Sequence, residues 1–176
     1  MSSPPPILLK PVTTEMLVEL QEMYEASSGY FLAFTGAPAP PIQAANDYQQ
    51  LLENDDRAIM AIWWRDEMII GSLDFRFHHP AEGVLWLGAL ILRDETPAAR
   101  DELGRWAVRI LAEWLRIATD MNEIRTAVPL NQPELVRFWR ELGYDLTPEL
   151  LRQPVAGKRL RFGIFRKPIT RTPPPP

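Results

Sequence analysis

VLWLGALIL, residues 84–92, runs straight into RDETPAARDELGRW, residues 93–106, and this junction decides what kind of fold the chain makes. The first segment is apolar at nearly every position, which suits a strand covered on both faces at the centre of a sheet. From 97 to 119 the pattern changes to a helical one. Leu103, Trp106, Ala107, Ile110, Leu111, Trp114, Leu115 and Ala118 form one stripe at a period near 3.6, and Pro97 suits the first turn. A strand entering a helix is a place where folds hold phosphate on free N–H groups. Such turns are normally rich in glycine, because backbone must approach the ligand. This one has a single glycine, Gly104, and four acidic residues, Asp94, Glu95, Asp101 and Glu102.

Working outward, ILLKPV predicts a first strand, and TTEMLVELQEMYEA a helix with Thr13 or Thr14 as its cap. SSGYFLAFTGAPAPP reads as a long loop of turn residues and aromatics, followed by a helix in IQAANDYQQLLEND. RAIMAIWWR and MIIGSLDFRF, separated by Asp66 and Glu67, predict a hairpin. In its second strand Ile69, Leu73, Phe75 and Phe77 alternate with Ser72, Asp74, Arg76 and His78. Beyond the long helix, EIRTAVPL predicts a strand and QPELVRFWRELGY a short helix ended by Gly143. YDLTPELL and KRLRFGIFRKPI close the sheet through a turn at Ala156 and Gly157. Trp63, Trp64, Trp86, Trp106 and Trp114 are expected in the core.

The 176 residues suffice for one domain with a sizeable core, expected over 7–169 between short disordered Pro-rich tails at 1–6 and 170–176. A net charge of −4 argues against a general grip on nucleic acid. With no cysteine and two histidines, thiol catalysis and thiolate metal sites are excluded, and no metal is implied. No apolar run is long enough for a membrane span, and no secretory signal is present, so the expected location is cytoplasmic.

The order of elements, together with IRTAVPLNQPELVRFWRELGY at 124–144, resembles the GNAT superfamily of acyl-CoA-dependent N-acetyltransferases. The family pattern is a strand, an Asn, a short helix with an aromatic pair and then Leu-Gly-aromatic. Here these are 124–128, Asn131, Phe138 with Trp139, and Leu142, Gly143 and Tyr144. The resemblance implies an α/β (α+β) fold, with a mixed, mainly antiparallel sheet of six to seven strands flanked by about four helices. It also implies acetyl-CoA as acyl donor and an amine acceptor, small molecule or peptide. A homodimer is left open.

What the resemblance implies for residues follows position by position. Leu90, Ile91 and Leu92 would hold pantetheine like an added strand. Residues 100–105, above all Arg100, Leu103, Gly104 and Arg105, would hold pyrophosphate, with Asn131 near the cofactor or capping the last helix. The family loop is usually Arg/Gln-x-x-Gly-x-Gly/Ala. Aligned on Gly104, this chain has Ala99 at the basic position and Glu102 at the first glycine. A solvated carboxylate there repels phosphate by about 1 kcal/mol, and Arg100 and Arg105 are the cations that offset it. Tyr30, Phe31 and Phe34 fall in the segment that lines the acceptor site in the family. Asp74 and His79 are the candidate bases, against an ordinary strand residue and an ordinary turn residue. Trp139 holds the position where many members carry a Tyr that protonates the departing thiolate; an indole N–H only donates hydrogen bonds. The activity implied is acetyl transfer to a primary amine by direct attack. The alternative is a catalytically inactive binding or regulatory module, favoured by the acidic loop and Trp139.

Overall fold

The computed structural model describes residues 6–94 and 97–171, with 97–99 as backbone only. Glu95 and Thr96, and residues 1–5 and 172–176 of the tails expected at 1–6 and 170–176, lie outside the described residues. The strands are β1 (Ile7–Pro11), β2 (Arg57–Trp64), β3 (Met68–Arg76), β4 (Val84–Leu92), β5 (Glu123–Pro129), β6 (Asp145–Val155) and β7 (Lys158–Pro168). They form a seven-stranded sheet in the order β1-β2-β3-β4-β5-β7-β6, antiparallel except for β4 against β5. The helices are α1 (Leu17–Glu25), α2 (Ser28–Thr35), α3 (Gln43–Glu53), α4 (Pro97–Ala118) and α5 (Pro133–Glu141). At the borders of the folded region, Pro6 O accepts from Arg65 N at 2.8 Å and Arg171 Nη2 donates to Thr119 O at 2.6 Å.

β4 meets a core on each face, with Val84, Leu85, Leu87 and Ile91 buried and Gly88 exposed. One face meets α4 and α5, where Leu85 and Leu87 pack with Ala107, Leu111, Leu115, Ile124 and Phe138. The other meets α1–α3, where Ile91 packs with Leu20, Met23, Tyr24 and Ile59. Odd-numbered β4 residues thus serve both cores, because a bulge intervenes. The β3 register steps from Phe75↔Leu87 to Asp74↔Ala89, leaving Gly88 unpaired and reversing the alternation. A second bulge, where Trp63↔Ile69 follows Ile62↔Gly71, turns Ile69 into the α1–α3 core, opposite to Leu73 and Phe75. The uniform alternation expected for β3 is corrected there.

The Gly143 cap and the Ala156–Gly157 turn are present, with φ of +86°, +49° and +75°. Thr13 precedes a 3-10 turn (Thr14–Met16) that leads into α1, and makes no capping bond with its side chain. The segment expected to be one long loop contains α2, ended by Gly36 at φ +76°. Its residues do not show a polar–apolar helical period, because α2 carries no charged side chain: it buries Phe31 and leaves Leu32 53% exposed. Among the described residues, no helix is long and apolar enough to cross a membrane.

Candidate functional site

β4 and β5 pair from Val84↔Glu123 to Leu87↔Thr126 and then part. Beyond that point β4 keeps only β3 as neighbour and β5 only β7. The facing edges, Gly88–Leu92 and Ala127–Pro129, border a cavity of about 210 Å³, closed by Phe138 and Trp139 of α5 and by Tyr30 and Phe34 of α2. Buried Thr126 marks the apex: its hydroxyl donates to Leu87 O at 2.9 Å, where ladder pairing ends. A strand edge open to a cavity can accept an extended ligand as one more strand.

Of the residues expected around the donor, Leu90 and Leu92 line this cleft. The Ile91 side chain does not, since the bulge turns it into the opposite core. Arg100 lines the cleft and holds Asp94 at 3.3 Å. Asp94 also accepts from Ser28 Oγ at 2.7 Å and Gly29 N at 3.0 Å, at the start of α2 where free N–H groups favour a carboxylate. Arg105 is placed elsewhere: Nη2 reaches Glu141 at 2.5 Å and the guanidinium sits 5.1 Å from the Phe138 ring centre. Leu103 packs against the core.

Gly104 stands about two turns into α4, so its N–H belongs to the helix ladder. The free N–H groups are those of the first turn. A Cβ at Gly104 would lie 3.2 Å from Leu92 Cδ1 and 3.3 Å from Phe138 Cζ. The glycine lets α4 pack closely on β4 and α5, and it does not line the cleft. Asn131 is exposed in the turn before α5, neither capping nor lining; Gln132 is the N-cap residue and lines the cleft.

The acceptor candidates divide as well. Tyr30 and Phe34 stack at 4.6 Å and line the cleft, whereas Phe31 is 4% exposed in the core. Tyr30, Gly88 and Ala89 also line a second cavity of about 440 Å³, with Gln50, Asn54, Arg57, Asp74, Arg76 and Trp86. Trp86 is therefore a cavity wall rather than core. Asp74 is not an ordinary exposed strand residue: its side chain is 22% exposed and accepts from Arg57 Nε at 3.0 Å and Nη2 at 2.5 Å. Burial pushes the Asp74 carboxyl above its ordinary value, opposed by Arg57, while the bond to Asp74 holds Arg57 firmly charged. Burial, with the charges of Asp74 and Asp47, raises the Tyr30 phenol, which stays a hydrogen-bond donor at neutral pH.

His79 stands apart from both cavities. It sits in the turn before Val84, at the paired end of β4, edge-on to Trp86 at 6.2 Å and lining neither cavity. Trp139 is 6% exposed, lines the cleft and packs edge-on against Tyr144 at 5.0 Å. Exposed His78, Glu82 and Asp120 gather at that far end, but His78 Nδ1 already accepts from Gly83 N at 3.1 Å. Arg57, Asp47, Trp86 and Gln132 escape sequence reading. Arg57 and Asp74 are 17 positions apart, and nothing local marks them as partners.

Neither a protein-family model nor a curated protein sequence matches this chain. Solved structures do. An acetyltransferase from Thermus thermophilus superposes with a TM-score of 0.73 at 21% identity, covering 95% of this chain and 99% of that one. A probable GNAT-family acetyltransferase from Chromobacterium violaceum gives 0.74 at 13%, covering 93% and 88%. Spermidine N-acetyltransferase from Vibrio cholerae, in complex with CoA and spermine, gives 0.75 at 10%, covering 93% and 95%. At these identities the likeness establishes the architecture: the chain has the GNAT fold, with seven strands and five helices.

Proposed function

We propose that this chain is an acetyl-CoA-dependent N-acetyltransferase acting on a primary amine by direct attack. The observation that carries the reading is the parting of β4 from β5 beside an apolar cavity, with an open strand edge at Gly88–Leu92. Pantetheine is assigned to that edge, and pyrophosphate to the first turn of α4 with Arg100. In the transfer, the amine nitrogen forms a bond to the thioester carbonyl carbon and the C–S bond breaks. A backbone N–H of β4 steadies the oxyanion. Asp74, across the ladder from Ala89 where the cavities meet, takes the proton the nitrogen loses, through water. The departing thiolate takes a proton from solvent, and Trp139 contributes a hydrogen bond at most.

A second reading, a binding module without catalysis, is favoured by one observation: Gly104 serves packing, so nothing in the described part of the loop is built for close backbone approach. Two measurements separate the readings. Acetyl-CoA at about 100 times its Kd stabilises the fold by about 2.7 kcal/mol, visible as a thermal shift. Free-thiol release with amines then distinguishes transfer from binding. No thermal shift at millimolar acetyl-CoA overturns both donor-site readings.

A further inference from the structure

The charged groups at the second cavity do not balance, whereas Arg100 and Asp101 balance in the donor cleft. Two carboxylates share one guanidinium: Arg57 holds Asp74 through two nitrogens and reaches Asp47 from Nη2 at 3.3 Å. Arg76, also on the wall, is matched by Asp56, with Nε at 2.9 Å and Nη2 at 2.7 Å. Counting Asp47 and Asp56, which stand behind the wall as partners of its arginines, three carboxylates against two guanidinium groups leave one net negative charge. The Asp47 and Arg57 side chains are only 14% and 13% exposed, so salt screens that charge weakly. Gln50 and Asn54 at the end of α3 line the cavity, and Arg57 meets that helix end through Gln50 Oε1 at 2.8 Å.

Resting on the acetyltransferase reading, we infer that the acceptor is a monoamine. Its single ammonium sits beside Asp74, drawn also by the charge of Asp47 behind Arg57, and its flat apolar body lies between Tyr30 and Trp86. Aromatic walls suit both parts, by area and by attraction of a cation to the ring face. The same lining rejects two other amine classes. A polyamine brings a second cation toward Arg57 and Arg76 with no carboxylate left to meet it. An amino acid brings a carboxylate, but each Arg57 nitrogen is already engaged, by Asp74, Asp47 or Gln50. Its charge would compete with Asp74, Asp47 and Asp56 for guanidinium groups they already engage, which is costly.

The test is thiol release at saturating acetyl-CoA with 2-phenylethylamine, spermidine and phenylalanine. Expected is a kcat/KM for 2-phenylethylamine at least about tenfold above the other two, the scale that a mismatched polar group imposes. Spermidine or phenylalanine performing equally well overturns the inference. Asp47→Asn removes the excess charge without touching the donor cleft. It is expected to raise the KM for 2-phenylethylamine about tenfold while the KM for acetyl-CoA stays the same; an unchanged amine KM overturns the charge argument. Stabilisation by acetyl-CoA with no amine turned over sinks the acceptor inference and leaves the donor site standing. Absence of stabilisation brings down the acetyltransferase reading beneath it.

Discussion

The two cavities that meet at Tyr30, Gly88 and Ala89 are built from different materials. The cleft between β4 and β5 is made by backbone: two strands stop pairing after Leu87, and small or apolar side chains line the gap. Its neighbour is made by side chains, with Asp74, Arg57 and Asp47 brought from β3, β2 and α3. A site of strand edges tolerates sequence change, because every residue supplies the same N–H and C=O. A site of buried charges does not, because removing one partner strands the other. The first depends on the fold alone, which structures at 10–21% identity share, while the second depends on particular side chains.

The sharpest way to break the comparison is Asp74→Asn. It leaves the strand edge intact, so acetyl-CoA should stabilise the variant as it does the parent, while kcat/KM falls about a hundredfold or more. Burial holds the Asp74 carboxyl protonated to higher pH than usual. The base form is therefore lost as pH falls through that raised value, and kcat/KM of the parent should rise with pH above 3.8. The Asn variant should lack that limb. Activity within about threefold of the parent would move the proton acceptor elsewhere, on the scale expected of general-base catalysis.

A smaller effect separates two arginines that look equivalent in sequence. Arg100→Ala should weaken acetyl-CoA binding by about 10- to 100-fold, the range of a charge-assisted bond to phosphate. Arg105→Ala, which removes only the Glu141 pair beside Phe138, should leave binding unchanged and cost about 1 kcal/mol of stability or less. Equal losses in a titration calorimeter would return Arg105 to the pyrophosphate.

The mildest change is Gly104→Ala. Crowding Leu92 and Phe138 costs about 1–3 kcal/mol, and the gain in helix propensity returns up to about 1 kcal/mol. A net loss of about 1 kcal/mol lowers Tm by about 3 °C. A higher Tm would mean that the glycine is not needed for packing.

How much is legible in advance varies from residue to residue. Leu90 and Leu92 follow from the strand they belong to, and Arg100 from its distance to the helix start. Ile91 and Ile69 defeat the simple alternation because one bulged residue reverses every later side chain. Gly104 resembles a phosphate glycine only while the start of α4 is unplaced. α2 looks like loop in sequence because Gly29, Gly36 and prolines at 38, 40 and 41 flank an apolar stretch with no polar face. His79 is close to β4 in sequence but belongs to its wrong end.

By itself the sequence determined the order of the elements apart from α2, the place of β4 at the centre of the sheet, the helix cap at Gly143 and the turn at Gly157. Each of these follows from local pattern, since periodicity and positive φ depend on a few neighbouring residues. Only the tertiary structure decided where β4 and β5 separate, that Asp74 shares Arg57 with Asp47, and that Trp86 faces a cavity. Those facts depend on register and on pairs far apart in the chain, where one bulge at Gly88 alters what every later residue meets.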